Sequence, residues 1–395
     1  MNKRSFSKII IIVASVCAVV TFWFATTDNK SARVADNPLL KPADKQNVNL
    51  DPNRVVQHAK SLSNADINHP ESEHYNELHS GAAKFGDDDY IVDCQIEQSS
   101  SDNYIKALQA NLPLFKHSSS PELQLLYAQS AGMEFVDEPR SKLELLAGFN
   151  HNHPKNLLGK VQQLSECMFQ NDTQYCDTTF EEQIIALDGN NGATWLQIAA
   201  FRFQKSDELG ALIALKKIMS SAIYNEYFAE QVQTFTQSMA DFSDMELSTR
   251  LNFAIGMTTL GGGFQELTSY CRQATALEAD TLELCLSIGK TMQKQGKVLI
   301  SQLIGVALQE IAYRAMGKLE IAEKLKQQRE NYRLGGGSEL YDKASMLMSF
   351  DESLLNHWLE HFKLGGEVVA YDAVVEEAIL LSKNEYYEPC NKKSR

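Results

Sequence analysis

The string His357-Trp358-Leu359-Glu360-His361 carries the spacing best suited to chemistry in this sequence. On a helix, His357 and His361 stand one turn apart, so both imidazoles can reach one divalent metal such as zinc. Glu360 stands beside them, where a carboxylate can take a proton from a metal-bound water. Such a set would make a metal-dependent hydrolase. A second histidine group, His69, His74 and His79, recurs every five residues among Glu71, Glu73 and Glu77. Five-residue spacing does not align on a helix, so this group reads as a polar surface segment. The Asp87-Asp88-Asp89 run lacks the alternating ligands and the glycine of a calcium loop. No Gly-x-Ser-x-Gly, phosphate loop or Gly-x-Gly-x-x-Gly occurs, so the usual signatures of acyl transfer and nucleotide binding are missing.

The helix that would hold the His–Glu–His set argues against the hydrolase. Leu354, Leu355, Trp358, Leu359 and Phe362 form an apolar stripe. At about 100° per residue, His361 lies about 90° and His357 about 130° from the centre of that stripe. Those positions are a flank and a solvent face. The string has the form found in the inverted zinc peptidases, which implies a third ligand well downstream, in an α/β domain. Here 34 residues follow His361, and no α/β pattern is present. No catalytic residue, metal ligand or cofactor is therefore assigned, and the hydrolase using His357, Glu360 and His361 stands as the alternative reading.

Cysteines offer a different chemistry. Besides Cys17 there are six: Cys94, Cys167, Cys176, Cys271, Cys285 and Cys390. An even set beyond an export signal points to disulfides and an oxidising compartment. Cys167 and Cys176 flank the polar loop Gln170-Asn171-Asp172-Thr173. The midpoint of Cys271 and Cys285 falls in the turn expected at Leu277-Glu278-Ala279-Asp280, with Asp280 and Thr281 as the N-cap of the next helix. Residues equidistant from a hairpin turn face each other if their helical phases agree, which is the geometry a disulfide needs. Cys94 and Cys390 remain, and pairing them would tie the start of the body to its tail. The absence of Cys-x-x-Cys leaves a thioredoxin-type redox site and a zinc ribbon unsupported.

The elements that must position these residues read as helices from Ser101 onward. No proline lies between residues 155 and 388, which disfavours a turn-rich β architecture. Pro121, Pro139 and Pro154 each precede an apolar-periodic segment, as Pro does in a first helical turn. Gly189, Gly261 to Gly263, Gly296, Gly317, Gly335 to Gly337 and Gly365-Gly366 act as stops and hinges. Between them, apolar residues fall at three and four spacing, as in Leu247, Leu251, Phe253, Ala254 and Met257, and in Leu282, Leu284, Cys285, Ile288 and Met292. Residues 298–312 are the most apolar of the body, but Ser301, Gln302, Gly305 and Gln309 interrupt them. That segment predicts a central buried helix and not a membrane span.

Short helices with short loops stack as bundles or as solenoids of helix pairs. Trp195, Ile198 and Ala199 form a large–large–small triplet, Asp207 marks a turn, and Ala211, Leu215 and Ile218 form a small–large–small set. Leu187-Asp188-Gly189-Asn190-Asn191 precedes them as a junction. Residues 191–223 thereby resemble one tetratricopeptide repeat, although Arg202 stands at the family's tyrosine position and no second copy follows at that period. The resemblance implies an all-α array of stacked helix hairpins, an α-solenoid or an irregular array, with a concave surface for a protein or peptide. On this chain that groove would be lined by Arg202, Phe203, Tyr224 and Tyr227.

Lys3, Arg4 and Lys8 precede an apolar run over residues 9–25, broken only by Ser15 and Thr21, with Trp23 and Phe24 at its far end. That is the pattern of a signal anchor with an interfacial aromatic belt. A cleaved, secreted form is the alternative. Setting those three cations aside, 34 basic against 51 acidic residues leave −17 on the rest, which repels phosphate backbones and excludes a nucleic-acid partner. The expected organisation is an anchor at 1–25, a polar linker at 26–90 with short helices near 55–62 and 73–84, and a helical body at 91–390. The expected protein is a single-pass inner-membrane scaffold. Its N-terminus is cytoplasmic, and its periplasmic body binds a protein or peptide. A structural spacer without a ligand is the third reading.

Overall fold

The computed structural model describes residues 89–94, 100–133, 136–169, 174–242, 245–258, 262–274, 278–331 and 339–390. Among these residues there are sixteen helices: α1 (Ser100–Lys116), α2 (Pro121–Ser130), α3 (Lys142–Asn152), α4 (Leu157–Cys167), α5 (Thr178–Asp188), α6 (Gly192–Gln204), α7 (Glu208–Ser220) and α8 (Phe228–Ser238), then α9 (Leu247–Met257), α10 (Phe264–Gln273), α11 (Ala279–Gln295), α12 (Leu299–Ala315), α13 (Leu319–Asn331), α14 (Glu339–Leu347), α15 (Glu352–Gly365) and α16 (Glu367–Ser382). Among the described residues the fold is all-α, with a single isolated bridge between Asn191 and Ile223.

Polar side chains start seven of these helices. Ser120, Ser141, Asn156, Asp177, Asn191, Asp207 and Asp351 each accept from an amide of the first turn, which satisfies donors that have no partner within the helix. Pro121 sits in the first turn of α2 as expected. Pro139 and Pro154 do not open helices. α3 begins behind Ser141 and α4 behind Asn156, because a side-chain acceptor fixes the start and the proline shapes only the approach. α11 likewise begins at Ala279, so Asp280 lies in its first turn and not at the cap.

Two hydrophobic cores form, and the chain interleaves them. One gathers α1, α2 and α3 with α8, α9, α14, α15 and α16, through residues such as Leu126, Phe149, Phe235, Phe253, Trp358 and Val375. The other gathers α4 to α7 with α10, α11 and α12, through Leu164, Ile184, Ile198, Leu215, Cys271, Ile288 and Leu308. Neighbours in sequence pack together, as α6 does on α7 and α15 on α16, but α8 also reaches α2 and α15, and α7 reaches α11. α12 is the buried helix expected over 298–312, covered by α10, α11 and α13. Its approach to α11 is a glycine crossing. A Cβ on Gly305 would stand 2.6 Å from the Gly289 carbonyl oxygen, and one on Gly289 would stand 2.7 Å from the Gly305 carbonyl oxygen.

Among the described residues, no helix is long and apolar enough to cross a membrane. The expected anchor at 9–25, the linker helices and the Gly335 to Gly337 hinge lie outside the described residues.

Candidate functional site

In α15 the stripe Leu354, Leu355, Trp358, Leu359 and Phe362 is buried in the first core. That burial leaves His357 and His361 half-buried on the flank, with ring centroids 4.5 Å apart, and Glu360 exposed. Among the described residues, no three His, Cys, Asp or Glu side chains converge as a metal site.

The six cysteines beyond Cys17 are brought together in three pairs. Cys167 is bonded to Cys176 and Cys271 to Cys285, each with Cα atoms 5.8 Å apart, and Cys94 to Cys390 with Cα atoms 5.4 Å apart. The first pair joins the end of α4 to the entry of α5, and the second joins α10 to α11. Around the third, the Val92 amide donates to Ser382 Oγ at 2.9 Å, and Lys383 Nζ stands 3.7 Å from Asp89. The beginning and the tail of the body are thus clasped by covalent, neutral and ionic contacts together.

The four residues expected to line a groove are engaged within the fold. Tyr224 is 1% exposed and belongs to the second core. Arg202 donates to both oxygens of Glu181 and, at 2.9 Å, to the Gly210 carbonyl. Phe203 lies against Tyr270 of α10, with ring centroids 5.6 Å apart. Tyr227 donates to Asp188 Oδ1 at 2.6 Å. A groove made of these side chains is not what the α6–α7 pair presents. They hold the pair to α5, α10 and the α7–α8 connection instead.

Asp188 and Asn191 are the centre of that attachment. Asn191 is fully buried and caps α6. Its side chain donates to Asp188 at 3.0 Å and to the Asn225 carbonyl at 2.8 Å, and it accepts from the Asn225 amide at 2.9 Å. Thr194 also donates to Asp188. Trp195 Nε1 donates to the Gly189 carbonyl at 2.8 Å. A buried polar group is tolerated only when bonded in this way, so the cluster fixes geometry and has no free group for chemistry.

No family model, curated protein or solved structure matches this chain. The reading of function therefore rests on what the described body exposes and buries.

Two features were not picked out from the sequence. One is the outer face of α7. Its inner residues Gly210, Ala211, Ala214, Leu215 and Ile218 are buried, yet Leu209 is 72% exposed, Ile213 50% and Met219 45%, with Lys216 and Lys217 exposed beside them. Leu209, Ile213 and Lys216 follow the four-and-three spacing of one helix face. The other is a pair of carboxyls at the start of α12. Glu226 Oε2 accepts from the Lys297 amide at 3.0 Å, and Glu367 Oε2 accepts from the Leu299 amide at 2.8 Å. Glu367 in turn donates its own amide to the Lys297 carbonyl at 2.7 Å. Gly366 allows this approach: its φ is +86°, and a Cβ there would stand 2.8 Å from the same carbonyl oxygen. Burial raises both carboxyls to about 7, with the helix amides pulling the other way. Tyr224, raised chiefly by burial, and Ser301 stand beside Glu226. The pair joins the α7–α8 connection, α12 and α16. It is a protonatable joint, enclosed in protein.

Proposed function

We propose that this chain is a binding scaffold: a tetratricopeptide-like array of helix pairs, held outside the cytoplasm by a single-pass anchor at residues 9–25. It takes up a protein or peptide partner against the outer face of α7. The observation that carries the reading is that face. Leu209 and Ile213, one turn apart, form an exposed apolar strip on a helix whose opposite side is already buried, and an unclaimed apolar strip is a mark of an interaction site. The three disulfides support a non-cytoplasmic setting.

The test places a photo-crosslinking residue at Ile213 in the full chain within its native membrane, with Gln327 on the exposed side of α13 as control. A protein adduct from Ile213 and none from Gln327 is the expected result. Absence of any adduct from Leu209, Ile213 and Met219 alike would overturn the reading and favour a spacer.

A further inference from the structure

We infer that the partner of the α7 face is a second copy of this chain, seated through α16. The inference rests on the α7 face being the docking surface and adds what docks there. α16 also carries an apolar strip that the fold leaves open. Val369 is 44% exposed and Leu380 64%, with Ala373 half-buried between them. The two helices share one pattern at equal spacing. Leu209, Ile213, Lys216 and Ser220 on α7 match Val369, Ala373, Glu376 and Leu380 on α16. Laid side by side in that register, bulky Ile213 meets small Ala373, as a ridge meets a groove. Lys216 then faces Glu376. Among the described residues, neither Lys216 nor Glu376 has an ion-pair partner.

Charge decides between occupants. The body is strongly acidic, so most of its surface repels a second copy. Lys216 on the α7 face is a local exception, and Glu376 on the α16 face answers it. Complementary charge of this kind fixes register and excludes the wrong approach. The contact is heterologous, α7 on one copy with α16 on the next, so each added copy leaves one face of each kind open. Association then closes into a ring or continues as a row.

The experiment uses the full chain in membranes, with the photo-crosslinking residue at Ile213 of one copy and a heavy-isotope second copy. The expected adduct joins position 213 to heavy peptides of α16 around Ala373. Lys216→Glu should cut that adduct by more than about tenfold, because like charges then face each other. Glu376→Lys on the heavy copy should restore it. Both positions are exposed, so the variants leave both cores intact. An adduct with a different protein, or with the heavy copy outside α16, refutes the second copy through α16 while the α7 docking face survives. A missing adduct refutes both. Charge reversal without restoration refutes the register.

Discussion

Raising the pH from 5 to 8 should weaken the body through Glu226 and Glu367. Glu226 is 2% exposed. Glu367 is a half-buried residue whose carboxyl lies inside. Burial lifts each to about 7 from an ordinary 4.5, against the opposing pull of amides at the start of α12. The folded chain therefore keeps protons that the unfolded chain releases between about pH 4.5 and 7. The stabilisation is fully present below the lower value and is lost as pH rises through the upper one. The difference between 4.5 and about 7 converts to about 3 kcal/mol for each group. Glu138 acts in the opposite sense. Arg140 foremost, with Tyr127 and Lys116, holds it far below the usual carboxylate range, so its contribution is lost only in strong acid. The two effects place the stability maximum on the mildly acidic side.

Urea unfolding followed by circular dichroism, at pH 5, 6, 7 and 8 with disulfides intact, measures this. With a denaturant slope of about 3 kcal/mol per molar, the midpoint should fall by about 1 M for each carboxyl. Glu226→Gln with Glu367→Gln keeps an acceptor for the Lys297 and Leu299 amides and removes both titrations. That variant should show a flat midpoint above pH 5. A double variant with the parent's pH slope, or a parent with none, would refute the reasoning.

Three further outcomes are expected. Gly305→Ala should cost about 1–3 kcal/mol, since the new Cβ meets backbone that cannot rotate away, whereas Gly256→Ala, with nothing within 4 Å, should gain about 0.5–1 kcal/mol from helix propensity; the same urea assay reads both. Peptide mapping without reductant should find Cys167 linked to Cys176 and Cys271 to Cys285 even in a chain cut after residue 385, in which Cys94 becomes free to a thiol reagent. Metal analysis after zinc dialysis should find no stoichiometric zinc, and zinc that disappears in His357→Ala with His361→Ala would revive the hydrolase.

Some of this fold is legible from residue order alone. The proline-free stretch, the stops at Gly189, Gly296 and Gly366, and the apolar spacing of Leu282, Cys285, Ile288 and Met292 announce helices and their inner faces. α4 is different. Lys160, Gln162, Gln163 and Ser165 are polar, yet all are buried. Gln162 lies in a chain of amides, accepting from Gln129 of α2 and donating to Gln231 of α8. Gln163 accepts from Asn150 at 2.7 Å and donates to the Tyr175 carbonyl at 2.7 Å. Each glutamine can be buried only because others stand opposite it, and nothing in the spacing of one helix reveals a partner 69 residues away.

The same limit explains the expected groove. Periodicity distinguishes apolar from polar faces, but it does not say how many neighbours a helix has. α7 is apolar on nearly every side, and such a helix reads as buried all round. Its inner face closes on α6 and α11, and the interleaving of the cores sends the chain onward to α8 without covering the other side. Tyr224, expected to line the groove, is buried in the second core instead. α16 repeats the situation, with Val374, Val375, Ala378 and Ile379 inside and Val369 and Leu380 left in water. Two helices whose sequences encode two apolar faces, in a fold that buries one of each, leave two faces for an association outside the monomer. Opposite charges at matched positions make the faces of two copies suited to each other.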